Sequence, residues 1–475
     1  ERKREEERKR EEERKREEER KREERSLIDE LIELNKDEKV FDHFGRESIS
    51  YDPVVEVTVK DLKLDSRLEE YVNKKYEGKI YDYQKKVFRT IMDKKNVAIT
   101  APTSTGKTLS FTLPLIQRIM EDKKKNQVSR KRRTPFAIII TPMKALTNDQ
   151  FDQIKKVVTD CNLQYEISVG MLVGIKDMPT EDRQKLLDNP PDILLTNFDS
   201  IYTHLLYNPS KGFAHFFRDF EILVVDEIHS YGGIHGSNIH HVIAALVRFN
   251  PKLQLVGASA TIDNLDKFSQ KLFDTEDVKL ESSNQKNGVT EFVMFAPYKI
   301  PFTSLLLKLC KFFKMKNNLF LIFWDSKTSV EQFAATAEKA GLRIEPHRAG
   351  LLPWERKEIE TRLKNGQLDG LVCTPTFELG IDIGEIEVVF SVLVPWSNFK
   401  QRMGRAGRRA DKLKPRAITG YGILLLPEAD PVASWFKKYP EDFKTEINVF
   451  VNPKNSRVTK FMVPFRVKCT SDYLK

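Results

Sequence analysis

The stretch that decides the fold is Ala101-Pro-Thr-Ser-Thr-Gly-Lys-Thr108. Residues 96–100 precede it as an apolar run with the length of a buried strand, and residues 109–120 follow it with helical apolar spacing, broken only by Pro114. A strand, a loop of small residues and a helix form the frame of a P-loop, whose backbone N–H groups bind phosphate. In that frame Lys107 reaches the β- and γ-phosphates and the Thr108 hydroxyl ligates Mg²⁺, although Ala101 replaces the first glycine of the usual pattern.

Composition sets the broad class of the protein. A length of 475 residues predicts about two to four domains, and a hydrophobic content of 40% is enough for more than one core. The net charge of +10 favours a polyanionic partner. The four cysteines form no CxxC pair, so neither a zinc ribbon nor a disulfide framework is indicated. No stretch reaches the roughly 18 apolar residues of a membrane span. We therefore expect a soluble intracellular protein, cytoplasmic (nucleoid-associated) or nuclear.

The N-terminal part of the chain differs in composition from the rest. Residues 1–25 repeat Glu-Arg-Lys-Arg-Glu-Glu and have no apolar stripe, so they predict a charged, solvated helix without a core. We assign them no function; a tag, or a helix whose true sequence was never registered, is the alternative. Residues 26–75 predict two helices and a short strand, and we expect an accessory region leading into the first large domain.

Apolar strands alternate with helical stretches over most of the remaining chain, which predicts parallel sheets covered on both faces. Residues 76–290 form the first expected domain and residues 291–430 the second, which has no P-loop. Residues 282–300 are expected to be a linker or surface connection, and residues 431–475 a short C-terminal extension. The predicted strands lie at residues 96–100, 136–141, 167–173, 192–196, 221–225, 253–258, 319–323, 370–374, 388–392 and 422–426.

A carboxylate pair follows one of these strands, in Asp226-Glu-Ile-His229. Opposite a P-loop, such a pair performs nucleotide hydrolysis: Asp226 holds Mg²⁺ through water, and Glu227 orients or deprotonates the attacking water. Two acids that cap a helix are the alternative reading.

Two further stretches complete the chemistry. Ser259-Ala-Thr261 follows the next strand, and it either forms a turn or links the hydrolysis site to the second domain. Gln401-Arg-Met-Gly-Arg-Ala-Gly-Arg-Arg409 has glycines and arginines at fixed intervals. Its guanidinium groups suit a transferring phosphate, for which arginine fingers contribute about 10³–10⁵ in rate; a structural surface cluster is the alternative.

In this order, these motifs resemble those of the superfamily 2 helicases of the DExH type over about residues 76–430. The resemblance implies that Gln84 reads the adenine and that Glu227, Gln401, Arg405 and Arg408 are catalytic. His229, Ser259 and Thr261 would couple hydrolysis to movement, and Asp226 would join Thr108 in holding Mg²⁺. The implied ATP-binding residues are Gln84, Thr103, Ser104, Thr105, Gly106, Lys107, Thr108, Gly380 and Asp382.

The same resemblance implies a set of nucleic-acid contacts, mostly to phosphates. These residues are Pro142, Lys144, Thr196, Asn197, His347, Arg348, Thr374 and Thr376. The stretches at 225–237, 347–360, 378–384 and 430–436 resemble the YprA/MrfA-type branch, the RecQ-four-like DNA helicases near Lhr, which implies 3′→5′ movement on DNA. Ile228, and the absence of the cysteine-rich zinc domain that relatives often carry, depart from that branch.

The fold class expected is α/β: two RecA-like parallel-sheet domains with a nucleotide cleft between them, an N-terminal accessory region and a C-terminal extension. The function expected is an ATP- and Mg²⁺-dependent helicase or translocase on single-stranded or partly duplex DNA, acting in DNA repair or processing. Two alternatives stay open: an RNA helicase, and a non-unwinding translocase or remodelling subunit with protein partners.

Overall fold

The computed structural model describes most of the chain with side chains. The residues described are 26–102, 105–125, 134–172, 178–206, 216–217, 219–260, 262–286, 288–348, 350–375, 386–407 and 418–473. Within them the chain divides into two compact units. The P-loop unit contains residues 51–286 and 444–473, and the arginine unit contains residues 26–50, 288–375 and 386–443.

Both units alternate strands with helices, as the sequence predicts. The strands of the P-loop unit are β2 (Glu56–Thr58), β3 (Lys79–Tyr81), β4 (Val97–Thr100), β5 (Ala137–Ile140), β6 (Val169–Met171), β7 (Ile193–Thr196), β8 (Ile222–Val225), β9 (Gln254–Ser259) and β10 (Lys279–Ser282). Its helices are α2 (Ser66–Tyr76), α3 (Asp82–Met92), α4 (Lys107–Lys125), α5 (Lys144–Asp160), α6 (Thr180–Asp188), α7 (Phe198–Leu206), α8 (Gly233–Phe249), α9 (Leu265–Phe273) and α15 (Ser456–Tyr473).

The arginine unit is built in the same way. Its strands are β1 (Phe41–Ser50), β11 (Val289–Pro297), β12 (Phe320–Phe323), β13 (Ile344–His347), β14 (Gly370–Cys373), β15 (Val388–Val392) and β16 (Ile418–Leu425). Its helices are α1 (Leu27–Glu38), α10 (Phe302–Met315), α11 (Lys327–Lys339), α12 (Pro353–Lys364), α13 (Trp396–Met403) and α14 (Pro431–Lys438).

The main sheet of the P-loop unit is parallel throughout, with strand order β10-β4-β9-β8-β5-β7-β6. Its central strands are short and fully buried, which explains why they read as continuous apolar runs rather than as an alternating pattern. Because β4, β9 and β8 are neighbours, the loops after their carboxyl ends lie side by side. The P-loop, the Ser259 turn and the Asp226–Glu227 pair are therefore brought to one edge of the sheet.

The sheet of the arginine unit has the order β1-β11-β16-β15-β12-β14-β13. Its described strands are parallel except β1, which pairs antiparallel with β11 along the edge. This confirms the expectation of two parallel-sheet domains.

The N-terminal segment corrects one expectation. Residues 26–50 do not lead into the first large domain but complete the sheet of the arginine unit. Ser26 caps α1 and its hydroxyl bonds the buried Glu291 carboxylate of β11, while Arg46 Nε donates to the same carboxylate at 2.5 Å. Phe41 adds its ring to the core, 4.6 Å from that of Phe295. The pairing joins segments about 250 residues apart, so no local sequence pattern could predict it.

Residues 282–300 also differ from the expected linker. They contain all of β11, whose residues are nearly all buried, and they begin at Ser282, the last residue of the edge strand β10. The polar residues 283–286, which favoured the expectation of a linker, lie in the short connection between β10 and β11, two strands of different units.

The predicted C-terminal extension is divided between the units. Helix α14 belongs to the arginine unit, whereas residues 444–473 belong to the P-loop unit. There Val458, Met462 and Phe465 of α15 enter the core beside α8, and the ring centroids of Phe465 and Tyr202 lie 5.1 Å apart. No helix among the described residues is long and apolar enough to cross a membrane.

This packing predicts that α15 stabilises the P-loop unit. Replacing the buried Phe465 with alanine should lower the free energy of unfolding by about 3–5 kcal/mol, because it leaves a cavity in the core. Phe461 on the same helix is 68% exposed, so Phe461→Ala is the matched control and should change stability by less than about 0.5 kcal/mol. Chemical denaturation of both variants measures the difference, and equal losses would contradict the packing.

Candidate functional site

The P-loop connects β4 to α4, and its conformation is held by α3. Gly106 has φ +80°, and a Cβ there would lie 2.6 Å from Gln84 Nε2, so this position requires glycine. Tyr83 Oη donates to the Thr105 carbonyl at 2.7 Å, and Gln84 Nε2 donates to the Gly106 carbonyl at 2.9 Å. Thr105 Oγ1 donates to the Pro102 carbonyl at 2.7 Å. Thr103 and Ser104 lie outside the described residues.

Gln84 therefore supports the phosphate loop directly. Its Oε1 accepts the Tyr81 N–H at 2.9 Å at the start of α3, so both ends of the amide are engaged. Its predicted contact with adenine stays a prediction. Tyr83 was missed by the sequence reasoning, since nothing local shows that its hydroxyl reaches a carbonyl 22 residues away.

Lys107 is the first residue of α4 and provides the positive charge of the site. Its Nζ is buried, and it has no hydrogen-bond partner among the described residues. A buried ammonium group without a partner is costly, and a phosphate oxygen is the kind of group that would satisfy it. The geometry fits the predicted role of Lys107 in phosphate binding.

The two carboxylates follow β8 at the same sheet edge. Asp226 is 4% exposed and Glu227 is 8% exposed. Asp226 Oδ1 accepts the Glu227 N–H at 2.9 Å, and Glu227 has φ +49°, which turns the chain sharply after the strand. Burial, reinforced by the Glu227 charge and opposed by Lys107, raises the pKa of Asp226 to about 7. The alternative in which these acids only cap a helix does not fit, because neither side chain caps the short 3₁₀ helix Ile228–Ser230.

The Asp226 and Thr108 side chains share a hydrogen-bond partner. Gln150 of α5 donates from Nε2 to Asp226 Oδ2 at 2.8 Å and to Thr108 Oγ1 at 3.2 Å. One nitrogen thus lies within reach of both oxygens, and a hydroxyl with a carboxylate is a donor set that suits Mg²⁺. These residues fit the predicted metal. The sequence reasoning missed Gln150.

His229 joins the carboxylates to the turn after β9. Its Nδ1 accepts the Ala260 N–H at 3.3 Å, lies 3.3 Å from Ser259 Oγ, and lies 3.4 Å from Glu227 Oε2. The backbone donor assigns the proton to Nε2, and burial lowers the pKa of the imidazole while Glu227 opposes that shift. The structure therefore brings His229 and Ser259 together. Thr261 lies outside the described residues.

Four predicted nucleic-acid contacts lie at the same edge of this sheet, after β5 and β7. Pro142 and Lys144 stand where α5 begins, and the Asn197 Oδ1 accepts the Ser200 N–H at 2.8 Å where α7 begins. Thr196 is fully buried, and its hydroxyl donates to the Leu172 carbonyl at 2.8 Å. For Thr196 we therefore restrict the predicted contact to the backbone.

The arginine unit places three more predicted contacts near the ends of β13 and β14. The Arg348 guanidinium pairs with Glu331 at 2.6 Å, and Thr374 donates its N–H to the His347 carbonyl at 3.2 Å. His347 is only 2% exposed, and its Nε2 lies 3.4 Å from Glu360 Oε1, so its side chain is buried against α12. Its predicted contact with nucleic acid stays a prediction. Thr376, Gly380 and Asp382 lie outside the described residues.

The arginine motif begins on α13. Gln401 lies on this helix, and Arg405, which is 4% exposed, follows its end. Arg402, the residue after Gln401, was not singled out from the sequence. It is 1% exposed, and its guanidinium donates to Ser391 Oγ at 2.9 Å and to Asp325 Oδ1 at 2.7 Å. Arg402 fixes the helix to the sheet of its own unit. Arg408 lies outside the described residues.

Two protein-family models match the chain. The model described as DEAD/DEAH box helicase matches residues 81–268, and the model described as helicase conserved C-terminal domain matches residues 304–410. The first match contains the P-loop and both carboxylates, and the second contains Gln401 and Arg405.

Two named relatives are similar to this chain over most of its length. ATP-dependent helicase hrq1 of Schizosaccharomyces pombe is 28% identical over 397 residues, which is 78% of this chain and 35% of that protein. The uncharacterized ATP-dependent helicase YprA of Bacillus subtilis is 26% identical over 414 residues, 82% of this chain and 52% of that protein. The chain thus spans between a third and about half of the length of these relatives.

Among solved structures, the DUF1998 helicase MrfA bound to DNA matches with a TM-score of 0.77 at 24% identity. The match covers 92% of this chain and 62% of the MrfA chain. At this identity the likeness concerns the fold, which is that of two RecA-like units.

Proposed function

We propose that this chain, which belongs to the superfamily 2 helicases and has YprA- and hrq1-type proteins among its relatives, is an ATP-driven motor on nucleic acid. The single observation that carries the proposal is the buried Lys107 Nζ, which has no hydrogen-bond partner within the described ranges and lies at the same sheet edge as the buried Asp226–Glu227 pair. A cation for phosphate and a carboxylate for water are the two groups that nucleotide hydrolysis requires.

In the proposed reaction, the P-loop backbone and Lys107 bind the β- and γ-phosphates of ATP. Thr108 and Asp226 would hold Mg²⁺, which supplies charge neutralisation at the phosphates. Glu227 would orient the attacking water and accept its proton, since it lies beside Asp226 on the turn after β8. The predicted contribution of Gln401, Arg405 and Arg408 to the developing phosphate charge stays a prediction.

His229 supplies a route from hydrolysis to movement. Its Nδ1 lies 3.4 Å from Glu227 Oε2 and 3.3 Å from Ser259 Oγ. A change in the position or charge of the Glu227 carboxylate would therefore change the contact between His229 and the Ser259 turn. We propose that this path couples phosphate chemistry to the grip on one strand, with Thr261 as a further member.

Single-stranded DNA is the proposed track, and the proposed direction is 3′→5′. The net charge of +10 suits a phosphate backbone, and MrfA, whose fold is similar, was solved bound to DNA. The predicted contacts are mainly to phosphates, which give affinity without sequence preference. A role in DNA repair or processing would follow from such a motor.

Strand separation tests the proposal. With ATP and Mg²⁺, the chain should displace a labelled strand from a duplex with a 3′ single-stranded DNA tail, and should not do so from the same duplex with a 5′ tail. Displacement only from an RNA-tailed duplex would favour the RNA helicase. Removal of a protein bound to the tailed DNA, without strand separation, would favour the translocase or remodelling subunit.

A further inference from the structure

One helix at the nucleotide site carries a polar side chain where its pattern calls for an apolar one. The inner face of α5 is formed by Leu146, Gln150, Ile154 and Val158, which recur every fourth residue and are all buried. Gln150 is 4% exposed. A buried amide among aliphatic neighbours costs free energy unless its hydrogen bonds are made, so the bonds that it makes indicate its purpose.

Those bonds go to the two oxygens that are predicted to hold Mg²⁺. The Nε2 group has two hydrogens, so it can donate to Asp226 Oδ2 at 2.8 Å and to Thr108 Oγ1 at 3.2 Å at the same time. Through this one amide, α5 connects the start of α4 to the end of β8. Gln150 Oε1 is buried as well and has no hydrogen-bond partner in the part of the chain that the structure describes.

We propose that Gln150 is a positioning residue for the metal: its amide orients the Asp226 carboxylate and the Thr108 hydroxyl, and so sets the Mg²⁺ requirement of nucleotide binding. This inference rests on the proposed function of the same site.

The physical reason lies in the geometry that Mg²⁺ demands. Mg²⁺ tolerates little departure from octahedral coordination and keeps several of its waters, so the ligating groups must be held in orientation. Hydrogen-bond partners behind metal ligands supply that orientation, and losing one lowers metal affinity by about 10- to 100-fold. The Gln150 Oε1, which has no partner among the residues that the structure describes, could accept a hydrogen bond from a water of the bound Mg²⁺, because a carboxamide oxygen accepts two hydrogen bonds.

The test replaces the amide by a side chain of similar volume. Gln150→Met removes both hydrogen bonds and keeps the packing of α5, so the chain should fold. Gln153→Met is the matched control, since Gln153 lies on the same helix and its Nε2 donates to Asp149 Oδ2 at 2.9 Å, away from Asp226 and Thr108. Binding of a fluorescent ATP analogue is measured in excess chelator and then across a Mg²⁺ titration, with thermal unfolding as a fold control.

We expect Gln150→Met to raise the Mg²⁺ concentration for half-maximal enhancement of binding by about 10-fold or more, with unchanged affinity in chelator. Gln153→Met should match the unsubstituted chain. If Gln150→Met unfolds, Gln150→Asn replaces it, because its amide is one methylene short of both oxygens. A Mg²⁺ titration unchanged in a folded variant would overturn the inference. Failure of the unsubstituted chain to bind the analogue would instead overturn the proposed function.

Discussion

Replacing Lys107 with alanine should reduce ATP turnover at least about 10²-fold, to the background of the assay. The Nζ group is buried at the start of α4 and has no hydrogen-bond partner among the described residues, so its charge is available to phosphate. Removing it takes away the cation that binds the transferring group in the ground state and in the transition state. Nucleotide affinity should fall together with turnover, and both are measured on the same protein preparation.

The control for this variant is Lys125→Ala. Lys125 is the exposed last residue of the same helix, and its loss should leave turnover unchanged. Turnover of Lys107→Ala comparable with that of Lys125→Ala would mean that the P-loop assignment is wrong.

Glu227→Gln should lower turnover by about 10²- to 10⁴-fold while nucleotide binding persists. The amide has the size of the carboxylate and can keep the left-handed turn at this position, but it cannot accept the proton of the attacking water. Lys107, Thr108 and Asp226 are untouched, so the variant should accumulate with ATP bound. Filter binding of ATP, with analysis of whether the retained nucleotide is ATP or ADP, separates loss of chemistry from loss of binding.

Glu221→Gln provides the comparison, because Glu221 immediately precedes the same strand at its other end and is about 40% exposed. It should hydrolyse ATP normally. Near-normal hydrolysis by Glu227→Gln would remove Glu227 as the catalytic base and would leave the identity of that base open.

The sequence allowed the P-loop unit to be predicted well, for a physical reason. Strands that are buried on both faces, such as β4, β5 and β8, are short apolar runs, and each is followed by residues whose chemistry is recognisable. Because parallel strands end at one edge, Lys107 and Asp226 could be placed together without any structure. The helix after the P-loop was also expected, and it continues through Pro114 to Lys125.

What could not be predicted depends on contacts between distant segments. Residues 26–50 pair with β11, and residues 444–473 pack on α8, and neither partner is adjacent in the sequence. Gln150 and Tyr83 act through hydrogen bonds to residues 22 to 76 positions away, and hydrogen bonding leaves no periodic signal. Thr196 and His347 fit motif positions, but the pattern did not show that their side chains are buried.

The most direct test of the central claim is ATP turnover with single-stranded DNA, duplex DNA and single-stranded RNA, each at two salt concentrations. The account predicts strong stimulation by single-stranded DNA that weakens as salt is raised, because the predicted contacts are mainly to phosphates. The Lys107→Ala variant should show none of this turnover. A preference for RNA would replace the DNA assignment and leave the motor in place. Turnover that is the same with and without every nucleic acid would contradict the claim that this chain is a nucleic-acid motor.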